Sequence, residues 1–315
     1  MTLALQDVRK SFGTLSVFDQ LSLTIAEGSL HGIIGPNGAG KTTFFRLLLG
    51  LLTPDSGTIV WHNQPLRPEH PYRAYVPEER GLYPHMRVRQ QLRWFGRLGG
   101  LSGREAAIQA DAWIDRLALG AYAHTPAADL SKGNARKVQV AIGILAHPEI
   151  LVLDEPFEGM DLANIRLMQT ILHQLHEDGI TIILSSHSLD FLDPFCDSLT
   201  FLNRGSAVLH GRLADLRQVL PWRRLTVRMR TPDAAERLGT WPLAVPWTLE
   251  AVSDPYTVQC RIAQADADHL PLANLWSLGE VVTVSLDWPS LTDVYWHVFG
   301  IPKVLGFERY AVEGP

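Results

Sequence analysis

Apolar and polar positions alternate in short runs over the first 60 residues. LALQDVRKSF (3–12), LSVFDQLSLTI (15–25) and SLHGIIG (29–35) each read as a strand, closed by Gly, Glu-Gly or Pro. The period then lengthens, and KTTFFRLLLGLL (41–52) predicts a helix. VRQQLRWFGRL (88–98) predicts another, with Leu92, Phe95 and Leu98 on one face, and EAAIQADAWIDRLAL (105–119) a third. EILVLD (149–154) and ITIILSSH (180–187) are short apolar strands, with a helix around IRLMQTILHQLHEDG (165–179) between them. Strand–helix–strand at this spacing predicts a parallel, crossover-connected sheet. The mostly helical stretch at about 84–148 interrupts that sheet and reads as an inserted subdomain.

Beyond Leu220 the texture changes. RRLTVRMR, PDAAERLG, WTLEAVS, YTVQCRI, ADHLPLANLW and EVVTVSL run as β-α-β-β-α-β, the outline of a ferredoxin-like unit. The expected organisation is therefore an α/β unit over 1–220 and a small α+β unit over 221–315, a division that a length of 315 residues accommodates. Six of the nine tryptophans lie in the second unit, where they can serve as core, as a contact surface or as a ligand platform.

Composition narrows the class. A formal net charge of -5 argues against a broad nucleic-acid-coating surface. Two cysteines, Cys196 and Cys260, provide no disulfide framework and fit a reducing compartment. The opening MTLALQDVRKSFG, with Asp7 inside any would-be apolar core, does not read as a secretory signal. FFRLLLGLL (44–52) contains Arg46 and falls far short of the roughly 20 residues that a membrane-spanning helix needs.

The chemistry concentrates in two motifs. Gly35-Pro36-Asn37-Gly38-Ala39-Gly40-Lys41-Thr42 matches G-x-x-x-x-G-K-[ST] and stands between a strand and a helix, with Thr43 continuing into the helix. Glycines let such a loop curl its N–H groups toward phosphates, and the helix N-terminus adds positive potential. Lys41 is expected to reach the β- and γ-phosphates, and Thr42 to supply an oxygen to Mg²⁺. ILVLDEP ends four apolar residues in Asp154 and Glu155, which places both acids at a strand tip. Asp154 is then the candidate Mg²⁺ ligand and Glu155 the group that polarises the attacking water.

These two elements, with Leu130-Ser131-Lys132-Gly133-Asn134 between them and His187 ending the next strand, resemble the ATP-binding subunit of an ABC transporter over roughly 1–220. The resemblance implies a P-loop NTPase fold of the ABC ATPase type and Mg²⁺-dependent ATP hydrolysis. It also implies a dimer, a homodimer ahead of a heterodimer, in which Ser131 and Gly133 contact the γ-phosphate bound by the opposite protomer. Here Lys132 and Asn134 depart from the usual LSGGQ. By the same resemblance Phe12 stacks on adenine, His187 contacts the γ-phosphate, and Asp161 communicates between the two sites; Asp161 also suits a helix cap. The largest departure is Glu78, in VPEERGLY, where the family carries a glutamine that approaches Mg²⁺ and the lytic water. An ionised carboxylate can accept hydrogen bonds there but cannot donate one. PEERGLY and the tail Trp288-Pro-Ser-Leu-Thr-Asp-Val-Tyr resemble the ATPases of ABC-2-type exporters, the sodium and drug export branch. That likeness alone carries the direction of transport and implies an integral membrane permease of ABC-2 type and a cytoplasmic chain held at the membrane through it; from the charge balance no nucleic acid is expected.

Other signals stay bland. His173 and His176 share a helix face without an evident third ligand. Arg87, Arg89, Arg93 and Arg97 form a solvated or partner-facing stripe, and Tyr83 and Met86 are candidate permease contacts. A soluble ABC-type ATPase acting on ribosomes or another macromolecular complex is the alternative function, but the ribosome-acting chains commonly carry two fused ATPase units. Only one phosphate loop and one LSKGN occur here.

Overall fold

The computed structural model describes residues 2–66, 73–79, 81–145, 147–193, 195–232, 247–270 and 281–300. Contacts divide the chain into two compact units, Met1–Leu213 and Ala214–Pro315, against a sequence-drawn boundary at 220.

The first unit holds two sheets. Strands β1 (Thr2–Phe12), β2 (Leu15–Ala26), β4 (Ser56–Trp61) and β5 (Gln64–Pro65) form an antiparallel sheet ordered β2-β1-β4-β5. The second sheet contains β3 (Leu30–Ile34), β6 (Arg73–Val76), β7 (Ile150–Leu153), β8 (Thr181–Ser185), β9 (Ser198–Asn203) and β10 (Ser206–Arg212). Its order is β10-β9-β3-β8-β7-β6, parallel throughout except for the edge pair β9–β10. Every residue of β3, β7 and β8 is buried, the mark of strands covered on both faces.

Helix α1 (Lys41–Leu48) supplies one of those covers. It buries Phe44, Phe45, Leu47 and Leu48 in a core shared with Phe18 and Ile25 of the first sheet and Ile33, Val152 and Ile183 of the second. A helix held between two sheets needs apolar residues on two flanks, which accounts for the density of FFRLLLGLL. Among the described residues no helix is long and apolar enough to cross a membrane.

Between β6 and β7 lie α2 (Val88–Leu98), α3 (Gly103–Arg116) and α4 (Lys132–Ile144). Helix α2 corrects one expectation: Leu92 is buried, but Leu98 is 69% exposed, and the buried stripe is Val88, Gln91, Leu92 and Gly96. The cause is close packing at Gly96, where a Cβ would sit 3.3 Å from the Cβ of Ala106. The two helices meet through small residues, and the Leu98 side is turned outward. Helix α5 (Leu162–Glu177) makes the crossover from β7 to β8, and the short α6 (Leu189–Leu192) follows β8.

The short α7 (Leu213–Arg217) spans the division. In the second unit β11 (Trp222–Met229), β12 (Trp247–Asp254), β13 (Thr257–Ala263) and β14 (Val281–Asp287) form an antiparallel sheet ordered β12-β13-β11-β14. This is the order that a β-α-β-β-α-β path produces. One face carries the core: Leu225, Val227, Met229, Val258, Cys260 and Ile262, with Ala267 and Leu270 against them. The expected helix PDAAERLG lies, beyond Pro232, outside the described residues, as do Trp241 and Trp276; the second begins as α8 (Gln264–Ala267). Helix α9 (Leu291–Phe299) closes the described chain, with Ser290 and Asp293 forming a capping box.

Candidate functional site

The loop between β3 and α1 is shaped by glycine at two places. At Gly35 a Cβ would stand 2.3 Å from the carbonyl oxygen of Leu202. Gly40 has φ 105°, and a Cβ there would lie 2.9 Å from the Phe18 ring. Both the dihedral and the space exclude other residues. The loop therefore delivers Lys41 and Thr42 at the first turn of α1, where backbone N–H groups lack helical partners and positive potential is greatest. Lys41 Nζ donates to Gly35 O at 2.7 Å and to Pro36 O at 3.3 Å.

Across from this turn, β7 ends in two buried carboxylates. Asp154 is held by Ser185 Oγ, which donates to Oδ1 at 2.5 Å, and by Tyr75 OH, which donates to Oδ2 at 3.3 Å. Glu155 has φ 52°, in the left-handed region that costs a non-glycine residue of order 1 kcal/mol or more. Its N–H donates to the same Ser185 Oγ at 3.1 Å, so one hydroxyl orients both acids. The His187 N–H donates to Glu155 Oε2 at 3.1 Å, and His187 Nε2 stands 3.4 Å from Oε1. Glu155 Oε1 is buried and, although the His187 ring is near, forms no hydrogen bond with the described residues.

The electrostatics follow from this geometry. Burial raises the Glu155 pKa and the nearby Asp154 charge adds to the effect, while His187 opposes it. Burial lowers the Lys41 pKa against the pull of Glu155, Asp154 and Glu78. Tyr75 is pushed up to about 12 by burial and then by Asp154. Perturbation of several groups in one cleft is typical of a reactive site.

One cleft of about 350 Å³ gathers Phe12, Asn37 to Thr43, Glu78, Asp154, Glu155 and His187. Phe12 is 47% exposed, and Lys10 Nζ lies 5.6 Å from its ring centroid. Leu15 and Val17 also line the cleft, as neighbours of Phe12 that the motifs do not mark. Ser131, Gly133 and Asp161 are not in its lining. Ser131 caps α4, accepting from Asn134 N–H at 3.2 Å, and Asp161 caps α5, accepting from Asn164 N–H at 2.8 Å. The two caps belong to adjoining segments, since a Cβ on Gly133 would lie 3.1 Å from Gly159 O. Lys132 Nζ is 2.5 Å from Glu158 Oε1.

Sequence reasoning missed Ser185, Tyr75 and Arg136. The first two are visible only as polar positions at strand ends beside the acids they serve. Arg136, buried in α4, donates to Pro77 O and Glu78 O and carries no sequence signal. His173 Nε2 and His176 Nε2 stand 3.6 Å from carboxylate oxygens of Glu177 and Asp197 respectively. Tyr83 is 48% exposed and packs against the Trp94 ring at 5.3 Å, while Met86 is half-buried.

The donor set suits a magnesium polyphosphate. Thr42 and the spare lone pairs of Asp154 are hard oxygen donors, the loop and Lys41 complement negative charge, and the undonated Glu155 Oε1 can take a proton.

Comparison with known proteins points the same way. A family profile described as ABC transporter matches residues 18–158. The uncharacterized ABC transporter ATP-binding protein YhaQ of Bacillus subtilis is 35% identical over 294 residues, covering 93% of this chain and 97% of that protein. Nod factor export ATP-binding protein I of Sinorhizobium fredii is 37% identical over 220 residues, covering 67% of this chain and 63% of that one. Among solved structures, an ATP-binding subunit of an ABC transporter aligns with TM-score 0.64 and 27% identity, over 70% of this chain and 93% of that one. A dimeric, post-hydrolysis ATP-binding cassette bound to ADP and Pi shares the fold, with TM-score 0.61 and 22% identity over 67% of this chain and 98% of that one.

Proposed function

Because this chain belongs to the family of ABC transporter ATP-binding proteins, we propose that it hydrolyses ATP to drive export through a separate membrane permease. The observation that carries this reading is the single cleft in which the glycine loop, Lys41, Asp154, Glu155, Glu78 and His187 converge.

Phe12 stacks on the adenine. The N–H groups of Asn37, Gly38 and Gly40 to Thr43 and the Lys41 ammonium hold the phosphates. Thr42 and Asp154, with Glu78 beside them, hold Mg²⁺, which when bound neutralises phosphate charge. Glu155 takes the proton of the attacking water through Oε1, which forms no hydrogen bond with the described residues, and His187 orients Glu155 and reaches toward the γ-phosphate.

Ser131, Gly133 and Asp161 lie outside the cleft of their own chain, Ser131 and Asp161 exposed and Gly133 buried against Gly159 and Met160, a placement that suits service of this turn to the nucleotide of a second subunit. We take that subunit to be another copy. The export direction rests on the export role that the Nod factor relative's name gives it and on the ABC-2-type likeness of PEERGLY. The chain would then sit on the cytoplasmic face of the membrane through its permease, with Tyr83 and Trp94 offering an exposed aromatic contact, and with 221–315 as an accessory unit.

The test is purification of the native complex, followed by ATP turnover with and without Mg²⁺ for wild type and Lys41→Ala. Turnover that needs Mg²⁺, is lost with Lys41→Ala and travels with a membrane protein is expected. A purified chain with no membrane protein attached and with turnover indifferent to Lys41→Ala would sink the reading.

A further inference from the structure

Helix α4 touches two segments, one bearing Glu78 of the nucleotide cleft and one following Glu155, and its polar side chains bond to both. Arg136, only 3% exposed, donates Nη1 to Pro77 O and Nη2 to Glu78 O, the second at 2.9 Å. One turn later Gln139 Nε2 donates to Glu79 O at 2.8 Å. Three successive carbonyls of the segment that bears Glu78 are therefore gripped from one helix. Further along, Gly143 brings α4 against β6, since a Cβ there would fall 2.9 Å from Val76 Cγ2.

The first turns of the same helix grip the chain that follows Glu155. Lys132 pairs with Glu158 at 2.5 Å, and its aliphatic stem covers Gly159. Gly133 backs onto Gly159 O and Met160. Lys137 is buried within reach of the Asp161 charge.

Burying a guanidinium is a poor way to gain stability, because an apolar side chain of similar size fills the same space without desolvating a charge. Arg136 gives its fork to two consecutive backbone carbonyls, and burial lowers its pKa against the opposing charges of Glu158, Asp154, Glu78 and Glu155. A helix is stiff along its axis. A shift of the Pro77–Glu79 backbone is thus passed to the N-terminus of α4, where Ser131 sits, instead of being absorbed by sliding side chains.

We propose that Arg136 is a positioning residue that couples the two nucleotide sites of the dimer. Through Pro77 and Glu78 it ties the cleft of its own chain to the helix end that serves the partner's nucleotide. This rests on the reading of Ser131 as a contact made across the dimer.

The test uses the full-length chain with its permease. ATP turnover is measured against ATP concentration for wild type, Arg136→Lys and Gln139→Leu, with binding of a fluorescent ATP analogue to each purified subunit and its melting temperature as controls. Wild type is expected to respond sigmoidally, with a Hill coefficient approaching the limit of about 2 for two sites. Arg136→Lys keeps the charge but replaces a fork that spans two carbonyls with a single ammonium. It should bind the analogue within about 2-fold of wild type, yet show a Hill coefficient near 1 and a maximal rate about 10-fold lower. Gln139→Leu should move in the same direction by less, and it carries the test if Arg136→Lys melts early. Wild-type cooperativity in a well-folded variant, whatever its rate, overturns the coupling and leaves Arg136 as packing. A hyperbolic wild type overturns the coupling, and a chain that stays monomeric by light scattering at saturating ATP with its permease overturns the two-site reading itself.

Discussion

Each unit of this chain contains a half-buried cluster of opposite charges, and the two are wired differently. In the carboxy-terminal unit Arg224 Nε lies 2.7 Å from Glu250 and its Nη2 3.0 Å from Asp293, while Arg261 reaches Glu250 at 2.7 Å with its guanidinium 4.3 Å from the Trp222 ring centroid. Burial alone would raise the Glu250 pKa, but the bonds and charges of Arg224 and Arg261 reverse it and hold the acid low. Arg224 is correspondingly pushed up, first by its bond to Glu250. In the first unit Lys41 spends its donors on loop carbonyls, Glu155 keeps an undonated oxygen, and the net shift of Glu155 is upward. A cluster whose charges satisfy one another is structure. One whose charges are only loosely matched, as Glu155 Oε1 is by the exposed His187 ring at 3.4 Å, is capacity for a ligand or a proton.

The sharpest break between the two comes from neutralising one acid in each. Glu155→Gln should lower ATP turnover by about 10² to 10⁴-fold, the usual worth of a general base, and leave the melting temperature unchanged or higher, since an amide is easier to bury than a carboxylate. Glu250→Gln should do the reverse. It strands Arg261 and half of Arg224, for a loss of about 3 kcal/mol in urea unfolding, while ATP turnover holds. If Glu155→Gln destabilised the chain as Glu250→Gln does, the distinction between the clusters would collapse.

How far the sequence could be read divides along the same line. The glycine loop is legible because Gly35 and Gly40 admit no other residue, and Asp154 and Glu155 are legible because an apolar run ends in them abruptly. Strand order in the carboxy-terminal sheet follows from the succession of short elements. The supports are another matter. Ser185, Tyr75 and Arg136 come from segments 30 to 79 residues away from the groups they hold and belong to no periodic pattern. The Arg224 network likewise joins positions 26 and 69 residues apart. Leu98 shows the opposite failure: its spacing from Leu92 and Phe95 is regular, but Gly96 decides which side of α2 meets α3.

A third buried group sharpens the comparison through pH. His31 on β3 is fully enclosed, its Nδ1 2.7 Å from Ser198 Oγ and its Nε2 2.8 Å from Thr200 Oγ1, and Thr200 Oγ1 is in turn 2.8 Å from His210 Nδ1. Burial, then His210, lowers its pKa from 6.5 to about 3. Between those values the unfolded chain binds the extra proton, so stability falls as pH drops below 6.5 and the loss saturates near 3. From pH 6.5 to 5 this amounts to about 2 kcal/mol. His31→Gln, which keeps hydrogen-bonding capacity but cannot titrate, should show a urea midpoint that changes less over that interval. Equal slopes for the two proteins would mean that the enclosed imidazole does not set the acid limit.

The smallest effect expected is at Tyr75, and it bears on whether Asp154 is held as firmly as Glu250. Ser185 grips Asp154 Oδ1 at 2.5 Å and also orients the Glu155 backbone, whereas Tyr75 reaches Oδ2 at 3.3 Å, a long and weak bond. Removing the phenol oxygen leaves Oδ2 with lone pairs free to meet a ligand, so Tyr75→Phe should cost only about 1 kcal/mol in stability. The Mg²⁺ concentration giving half-maximal turnover should shift by less than about 5-fold, that is, by no more than the same 1 kcal/mol. Ser185→Ala serves as the contrast: it frees the other oxygen and unseats the backbone of Glu155 together, and should lower turnover more than Tyr75→Phe does. If the two variants were equally impaired, Asp154 would need both donors, and its carboxylate would belong with Glu250 among groups whose hydrogen bonds are fully committed within the chain.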